Sequence, residues 1–196
     1  MGNRIIEMMD AYNQILPQYS ELKKKAVLSC VRKEYSTAGN LMYFRGIYNQ
    51  QLSITTASNY RRGRKTKDWP KNRVGAYEYF FDEKDELIYL RSWADEIGVG
   101  MEEFIQRMEE KEFSVIFTNS KNCTAPNKSI VTLCEMGDNR IDAFHCGNLD
   151  DKEERITLLF SENYDYVGTA LKRIHCIMYD RDKDEYSSEQ VFAVDP

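Results

Sequence analysis

The feature that most constrains the fold is a series of short β-forming segments that runs from residue 41 to the C-terminus. Most of the connections between these segments are short and polar. Short turns join antiparallel neighbours, because a parallel pair needs a crossover of about a dozen residues or more. The sequence therefore predicts an antiparallel β-meander, with strands near residues 41–48, 52–56, 76–81, 87–93, 113–118, 130–135, 141–146, 155–161, 171–179 and 186–194.

Residues 3–35 carry apolar side chains at three- and four-residue steps, which is the period of a helix packed on a core. Pro17 lies within this pattern and cannot donate a backbone hydrogen bond, so we expect two helices or one bent helix. The same kind of pattern predicts one further helix at about residues 100–111. Its apolar residues are Met101, Phe104, Ile105 and Met108.

The predicted fold is therefore α+β, with the helices packed on one side of the sheet. We expect residues 1–196 to form a single domain, with 1–36 as a helical N-terminal segment and 41–194 as mainly antiparallel sheet. Apolar residues make up 42% of the chain and charged residues 30%, which is typical of a packed globular domain rather than a disordered chain.

The cysteines and the N-terminus favour a cytoplasmic protein. The five cysteines show no CxxC spacing, and Glu7 and Asp10 interrupt the apolar run that a secretory signal needs. We therefore expect reduced thiols. No window approaches eighteen uncharged apolar residues, so we expect no membrane-spanning segment.

The most distinctive charge pattern is the basic segment, residues 60–73, in which seven basic residues accompany one acid, Asp68. Its net charge is +6, and since the whole chain carries -5, the remaining residues carry -11. Such a segment can hold a phosphate backbone while aromatic rings stack on bases, or it can lie against an acidic protein. The alternative is a solvated loop that pairs with the protein's own acidic face. Its candidate binding residues are Tyr60, Arg61, Arg62, Arg64, Lys65 and Trp69.

An acidic stretch follows, residues 82–112, in which eleven acids accompany four basic residues. An acidic surface of this kind can imitate nucleic acid and block a basic active site, because oriented charge selects partners. The alternative is an ordinary polar surface. The candidate partner-binding residues are those of the predicted hairpin turn, Asp82, Glu83, Asp85 and Glu86.

Metal binding and catalysis find little support in the sequence. The two histidines are each followed by cysteine, as His145-Cys146 and His175-Cys176. Both pairs fall in predicted strands, where adjacent side chains point to opposite faces, so one metal ion could not collect a whole pair. No nucleophile, phosphate-binding or zinc-protease motif occurs. We expect no catalytic residues, no metal and no cofactor.

Residues 77–90 combine an aromatic strand, a charged turn and an aliphatic strand, as Tyr77-Glu78-Tyr79-Phe80-Phe81-Asp82-Glu83-Lys84-Asp85-Glu86-Leu87-Ile88-Tyr89-Leu90. This hairpin resembles those of immunity proteins of bacterial polymorphic toxin systems. The resemblance implies a small cytoplasmic protein without catalytic motifs that neutralises a toxin by binding it. A nucleic-acid-binding module that uses the basic segment is one alternative. An enzyme of unrecognised type, with a deep pocket around His145 or His175, is the other.

Overall fold

The computed structural model describes residues 2–37, 42–43, 63–94, 98–108, 110–119, 127–137, 140–150, 155–180 and 185–193. The predicted strand 52–56 and the candidate residues Tyr60, Arg61 and Arg62 lie outside these ranges. So does the predicted strand 41–48, apart from Met42 and Tyr43, which form a bend.

Two helices open the chain, as Pro17 predicts. Helix α1 spans Gly2–Ile15 and helix α2 spans Tyr19–Ser29, and a short 3-10 turn, Leu16–Gln18, separates them at the proline. None of the helices in the described ranges is long and apolar enough to cross a membrane.

Within the described residues, eleven strands form one antiparallel sheet with the order β11-β10-β9-β8-β7-β6-β5-β4-β3-β1-β2. From β3 onward each strand lies beside the next strand of the chain. The strands are β1 Arg32–Thr37, β2 Arg64–Thr66, β3 Tyr77–Phe81, β4 Leu87–Ala94, β5 Gly98–Met108, β6 Lys111–Thr118, β7 Asn127–Gly137, β8 Arg140–Asp150, β9 Arg155–Val167, β10 Ala170–Asp180 and β11 Glu185–Ala193. The prediction of an α+β protein with a mainly antiparallel sheet is confirmed.

The predicted helix at 100–111 is wrong, because residues 98–108 form strand β5. The four residues 102–105 are all buried, and they alternate between the two faces of the sheet. A strand buried on both faces loses the alternation of apolar and polar residues that marks a half-exposed strand. Its apolar residues then match a helical period by coincidence.

The predicted helical segment 1–36 is also too long. Helix α2 ends at Ser29, and β1 begins at Arg32 and pairs with β3, so that Glu34 lies opposite Tyr79. Residues 32–37 pair with both β3 and β2 instead of continuing the helix, and Glu34 and Ser36 are buried in the sheet.

The helices cover one face of the sheet, called here the helix-side face. Met8, Tyr12 and Ile15 of α1 are buried there, in one cluster with Phe113 and Leu133 of the sheet. These residues lie one turn apart on α1, so a single stripe of the helix faces the sheet. Burial of such side chains stabilises the fold by about 1.5–3 kcal/mol each.

Glu102 of β5 fixes α2 to the same face. It is completely buried and accepts hydrogen bonds from the hydroxyls of Tyr19 and Tyr89, and its Oε1 lies 2.8 Å from Nζ of Lys23. Burial by itself would raise the pKa of Glu102, but the hydrogen bonds from Lys23 and the two tyrosines outweigh it and lower the pKa. A charged carboxylate therefore holds the helix to the sheet.

Candidate functional site

The opposite face of the sheet is also buried. It carries two apolar clusters, one around Phe81, Leu87 and Ile105 and the other around Cys134 and Phe144. These residues lie on the face turned away from the helices, because their neighbours Phe80, Phe104 and Leu133 belong to the cluster on the helix-side face and successive strand residues point to opposite faces. Burial without a helical layer requires that the face closes on itself or on other parts of the chain.

The sheet is strongly curved around this face. A cavity of about 400 Å³ is lined both by Arg32 of β1 and by Cys134 and Met136 of β7. Strands β1 and β7 stand five steps apart, so a flat sheet would separate them by about 24 Å. One small cavity can touch both strands only if the sheet bends toward it. We therefore call this side the concave face.

The floor of the cavity is apolar and its rim is charged. The uncharged lining consists of Tyr43, Phe81, Leu87, Ile105, Cys134, Met136 and Ile141. The charged lining consists of Arg32, Asp85, Arg107 and Glu112. A concave, mainly apolar pocket with a few convergent polar groups is the usual form of a ligand site.

One side of the rim is an ion pair between β1 and the β3–β4 turn. Nε of Arg32 donates to Oδ1 of Asp85 at 2.8 Å, and the guanidinium lies 3.8 Å from the centre of the Phe81 ring. The hydrogen bond to Asp85 raises the pKa of Arg32 above its usual value. The ring and the carboxylate together hold the guanidinium at the cavity wall.

The other side of the rim is built from β5 and β6. Nε of Arg107 donates to Oε2 of Glu112 at 2.7 Å, and Nη1 lies 3.1 Å from Oε1 of Glu86. Glu112 is buried, whereas about half of the Arg107 side chain is exposed. Burial would lower the pKa of Arg107, but the hydrogen bond and charge of Glu112 outweigh it and raise the pKa.

Glu34 connects the rim to the basic segment. It is buried in β1 and accepts hydrogen bonds from Arg32, from Lys65 of β2 and from the hydroxyl of Tyr43. Burial favours a raised pKa, but the hydrogen bonds from Lys65 and Tyr43 lower the pKa of Glu34. Burial and Glu34 together raise the pKa of Tyr43 to about 12.

The described part of the basic segment forms the edge of the sheet. Arg64 and Lys65 lie on β2, the terminal strand, and both are exposed. Lys65 pairs with Glu34, as the alternative of an internal acidic partner predicts, whereas the side chain of Arg64 has no hydrogen bond or ion pair to the residues that the structure describes. Trp69 packs edge-to-face between Tyr35 and Trp93, with ring centroids 5.1 and 5.6 Å apart. The Trp69 ring therefore packs against other rings of the same protein.

The predicted acidic residues lie in the turn between β3 and β4 and play unequal parts. Asp82 shapes the turn, because its Oδ1 accepts hydrogen bonds from the backbone N–H groups of Lys84 and Glu86 at 2.9 and 3.0 Å. Asp85 adopts a φ of 61° and binds Arg32. Glu86 binds Arg107. Glu83 is exposed and forms no ion pair within the described ranges.

Sequence analysis did not select the arginines of the rim. Arg32 and Arg107 both lay in segments predicted to be helical, and their acidic partners are contributed by other strands and turns. The one available signal was the excess of acids between residues 82 and 112, which requires nearby cations in a packed structure.

The histidine pairs behave as their strand positions predict. His145 is buried on the helix-side face, where its Nδ1 lies 2.8 Å from Oγ of Ser161 and its Nε2 lies 3.5 Å from Oε1 of Glu135. Burial and the charge of Arg4 lower the pKa of His145 to about 4. Cys146 packs on the other face. Neither histidine lines the cavity of the concave face.

The thiol of Cys176 is buried and should react poorly. Burial and the charge of Glu162 raise the pKa of the Cys176 thiol to about 12. Cys30, Cys134, Cys146 and Cys176 are thiols rather than disulfides. Among the residues that the structure describes, no three His, Cys, Asp or Glu side chains come together in a way that would hold a metal ion.

Comparisons with known proteins do not assign the chain to a family. No family model and no curated protein matches the sequence. Among solved structures, the fold is similar to a protein of unknown function from Bacteroides fragilis NCTC 9343, with a TM-score of 0.44 and 6% sequence identity. The similarity covers 57% of this chain and 86% of that chain.

Proposed function

We propose that the chain is a non-catalytic binding protein of the immunity or inhibitor type, which neutralises a bacterial toxin by binding it. In this proposal the chain is a single cytoplasmic domain, and its sheet is an antiparallel meander. The observation that supports it best is the unequal neutralisation of the two charged regions. Asp85 and Glu86 are paired with arginines of the protein itself, whereas the basic edge retains exposed cations.

The exposed cations lie together at the β2 edge. Arg64, Lys67 and Lys71 are exposed and have no ion pair within the described part of the chain, whereas Arg73 lies 5.8 Å from the Trp69 ring and 5.5 Å from the Trp93 ring. A surface of this kind attracts an acidic partner and speeds its association. It also discourages edge-to-edge pairing of sheets, as lysines on edge strands commonly do.

An acidic protein fits this edge better than a nucleic acid does. Single-stranded nucleic acid is held by stacking its bases on exposed aromatic faces. Trp69 instead lies between two other aromatic rings and beside Arg73. The nucleic-acid alternative and the enzyme alternative both stay predictions. The next experiment distinguishes nucleic-acid binding from toxin binding.

The test uses the toxin encoded by the adjacent gene as the partner. We expect stoichiometric binding by calorimetry and protection of cells that express the toxin. The triple variant Arg64→Ala, Lys67→Ala, Lys71→Ala should slow association about tenfold at low salt. These side chains are chosen because they have no partner within the described ranges, so stability should not change.

A matched control removes three exposed cations elsewhere, as Lys24→Ala, Lys25→Ala, Arg173→Ala. It should leave the association rate within about twofold of the unaltered protein, because these residues lie on α2 and β10. Equal slowing by both triple variants would show that net charge, and not the β2 edge, drives binding. Tight, salt-sensitive binding of a labelled single-stranded RNA that the β2 variant alone abolishes would favour the nucleic-acid alternative.

A further inference from the structure

The geometry points to a second binding site: the cavity of the concave face takes a small, uncharged molecule with an apolar body and one polar head. This site lies apart from the exposed cations of the β2 edge and requires a different occupant. It therefore does not depend on the proposed toxin partner.

The apolar body of the ligand follows from the floor of the cavity. Phe81, Leu87, Ile105 and Cys134 are each exposed by less than a tenth, and they come from four different strands or their ends. Their backbones are tied into the sheet ladder, so the floor is fixed before a ligand arrives.

The size of the ligand follows from the volume. The cavity measures about 400 Å³, near the lower end of the range of about 300–1,000 Å³ for small-molecule sites. Liquid water needs about 30 Å³ per molecule, so this volume corresponds to roughly a dozen heavy atoms.

The charge of the ligand follows from the rim. Arg32 and Arg107 contribute two cations to the lining, and Asp85 and Glu112 contribute two anions. Each arginine is already bound to a lining carboxylate, at 2.8 Å for Arg32 with Asp85 and at 2.7 Å for Arg107 with Glu112. An anionic head would compete with these carboxylates for the guanidinium groups, and a cationic head would compete with the guanidinium groups for the carboxylates.

A charged head would therefore lose its hydration without gaining an unopposed partner. An uncharged head that both donates and accepts hydrogen bonds avoids this cost. A guanidinium group offers five N–H donors, so Arg107 can bind Glu112 and Glu86 and still donate to a carbonyl oxygen. A carboxylate has several lone-pair sites, so Asp85 can accept a hydrogen bond from the head as well as from Arg32. A carboxamide or an alcohol meets both requirements.

The test compares three probes that share one alkyl chain and differ in charge: octanamide, octanoate and octylammonium. In calorimetric titrations at pH 7 we expect octanamide to bind with a Kd between about 10 µM and 1 mM. It should bind at least tenfold more tightly than either charged probe. Equal or tighter binding of a charged probe, or no binding of octanamide, would overturn the assignment.

A bulky side chain within the cavity locates the binding. Ile141 is half-buried and lines the cavity, so Ile141→Trp should abolish octanamide binding. Val167→Trp is the matched control, because Val167 is exposed by 68% and does not line the cavity, and it should bind as the unaltered protein does. Thermal unfolding monitors the fold of both variants. If Ile141→Trp does not fold, Met136→Trp replaces it at a second half-buried lining position. Binding of octanamide that survives in a folded variant would place the site elsewhere.

Two single changes should shift the preferred charge in opposite directions. Arg107→Gln removes a lining cation and should move the preference toward octylammonium, whereas Glu112→Gln removes a lining anion and should move it toward octanoate. A shift of about tenfold in the ratio of the two charged probes is expected in each case. A ratio that stays constant in both folded variants would show that the rim does not contact the head.

Discussion

His145 makes the stability of the fold depend on pH in a defined direction. The histidine is fully buried, and burial together with the charge of Arg4 holds its pKa at about 4, compared with about 6.5 for an exposed histidine. In the unfolded chain the group therefore takes up a proton first as the pH falls. The folded state should be fully stable with respect to this group above about pH 6.5 and should lose stability as the pH falls toward 4.

The magnitude follows from the two pKa values. Each unit of difference corresponds to about 1.4 kcal/mol, so the linkage gives a loss of about 2.5 kcal/mol in the free energy of unfolding between pH 7.5 and pH 4.5. That is a large fraction of the total stability of a typical domain, about 5–15 kcal/mol.

The assay is urea unfolding followed by tryptophan fluorescence at pH 7.5, 6.5, 5.5 and 4.5. His145→Asn places an amide near the Nδ1 position, within reach of Ser161, and removes the titratable group. Its unfolding free energy should lack the loss of about 2.5 kcal/mol over this range. His175→Asn is the control that keeps His145, and it should retain the loss. A pH dependence that is the same in His145→Asn and in the unaltered protein would refute the reasoning.

Three further changes probe the packing of the two faces. Glu102→Gln removes the buried charge that binds Lys23 and should lower the free energy of unfolding by about 2–4 kcal/mol, measured in urea. Gly147→Ala places a methyl group 2.8 Å from Cδ1 of Ile156, so it should destabilise by about 1–3 kcal/mol, and Ile156→Val should recover part of the loss in the double variant. Iodoacetamide at pH 8 should leave Cys176 unmodified in the folded protein, because the thiol is buried and its pKa is about 12; peptide mapping by mass spectrometry checks this, with the urea-unfolded chain as the reactive control.

The elements that sequence analysis predicted well are those whose signals are local. The hairpin of β3 and β4 was expected at 76–81 and 87–93 and lies at Tyr77–Phe81 and Leu87–Ala94, because aromatic and aliphatic residues flank a charged turn that Asp82 shapes through its own hydrogen bonds. The break at Pro17 was predicted for the same reason, since it depends only on the missing N–H of one residue.

The errors arose where distant residues decide the outcome. The sequence pattern of β5 matches a helix unless one knows that the strand is also buried on the concave face. That face is buried because the sheet curves. The rim of the cavity follows the same rule, since Arg32 and Asp85 are separated by 53 positions in the sequence. Of the two acids of the rim, Asp85 was selected because it lies in the predicted turn, whereas Glu112 of β6 was not selected. The basic half had no local signal.

The position of β1 in the sheet has a kinetic consequence. Strands β3 to β11 pair with their neighbours in sequence, so most of these pairings close short loops. Strand β1 instead pairs Arg32 with Phe81, and the loop that this pairing closes is much longer. Long loops cost more chain entropy to close, so we expect β1 to join after the hairpin beside it has formed. β1 also carries Arg32 into the cavity lining. Completion of the sheet and completion of the cavity are then one folding event, and only the fully folded chain can bind there.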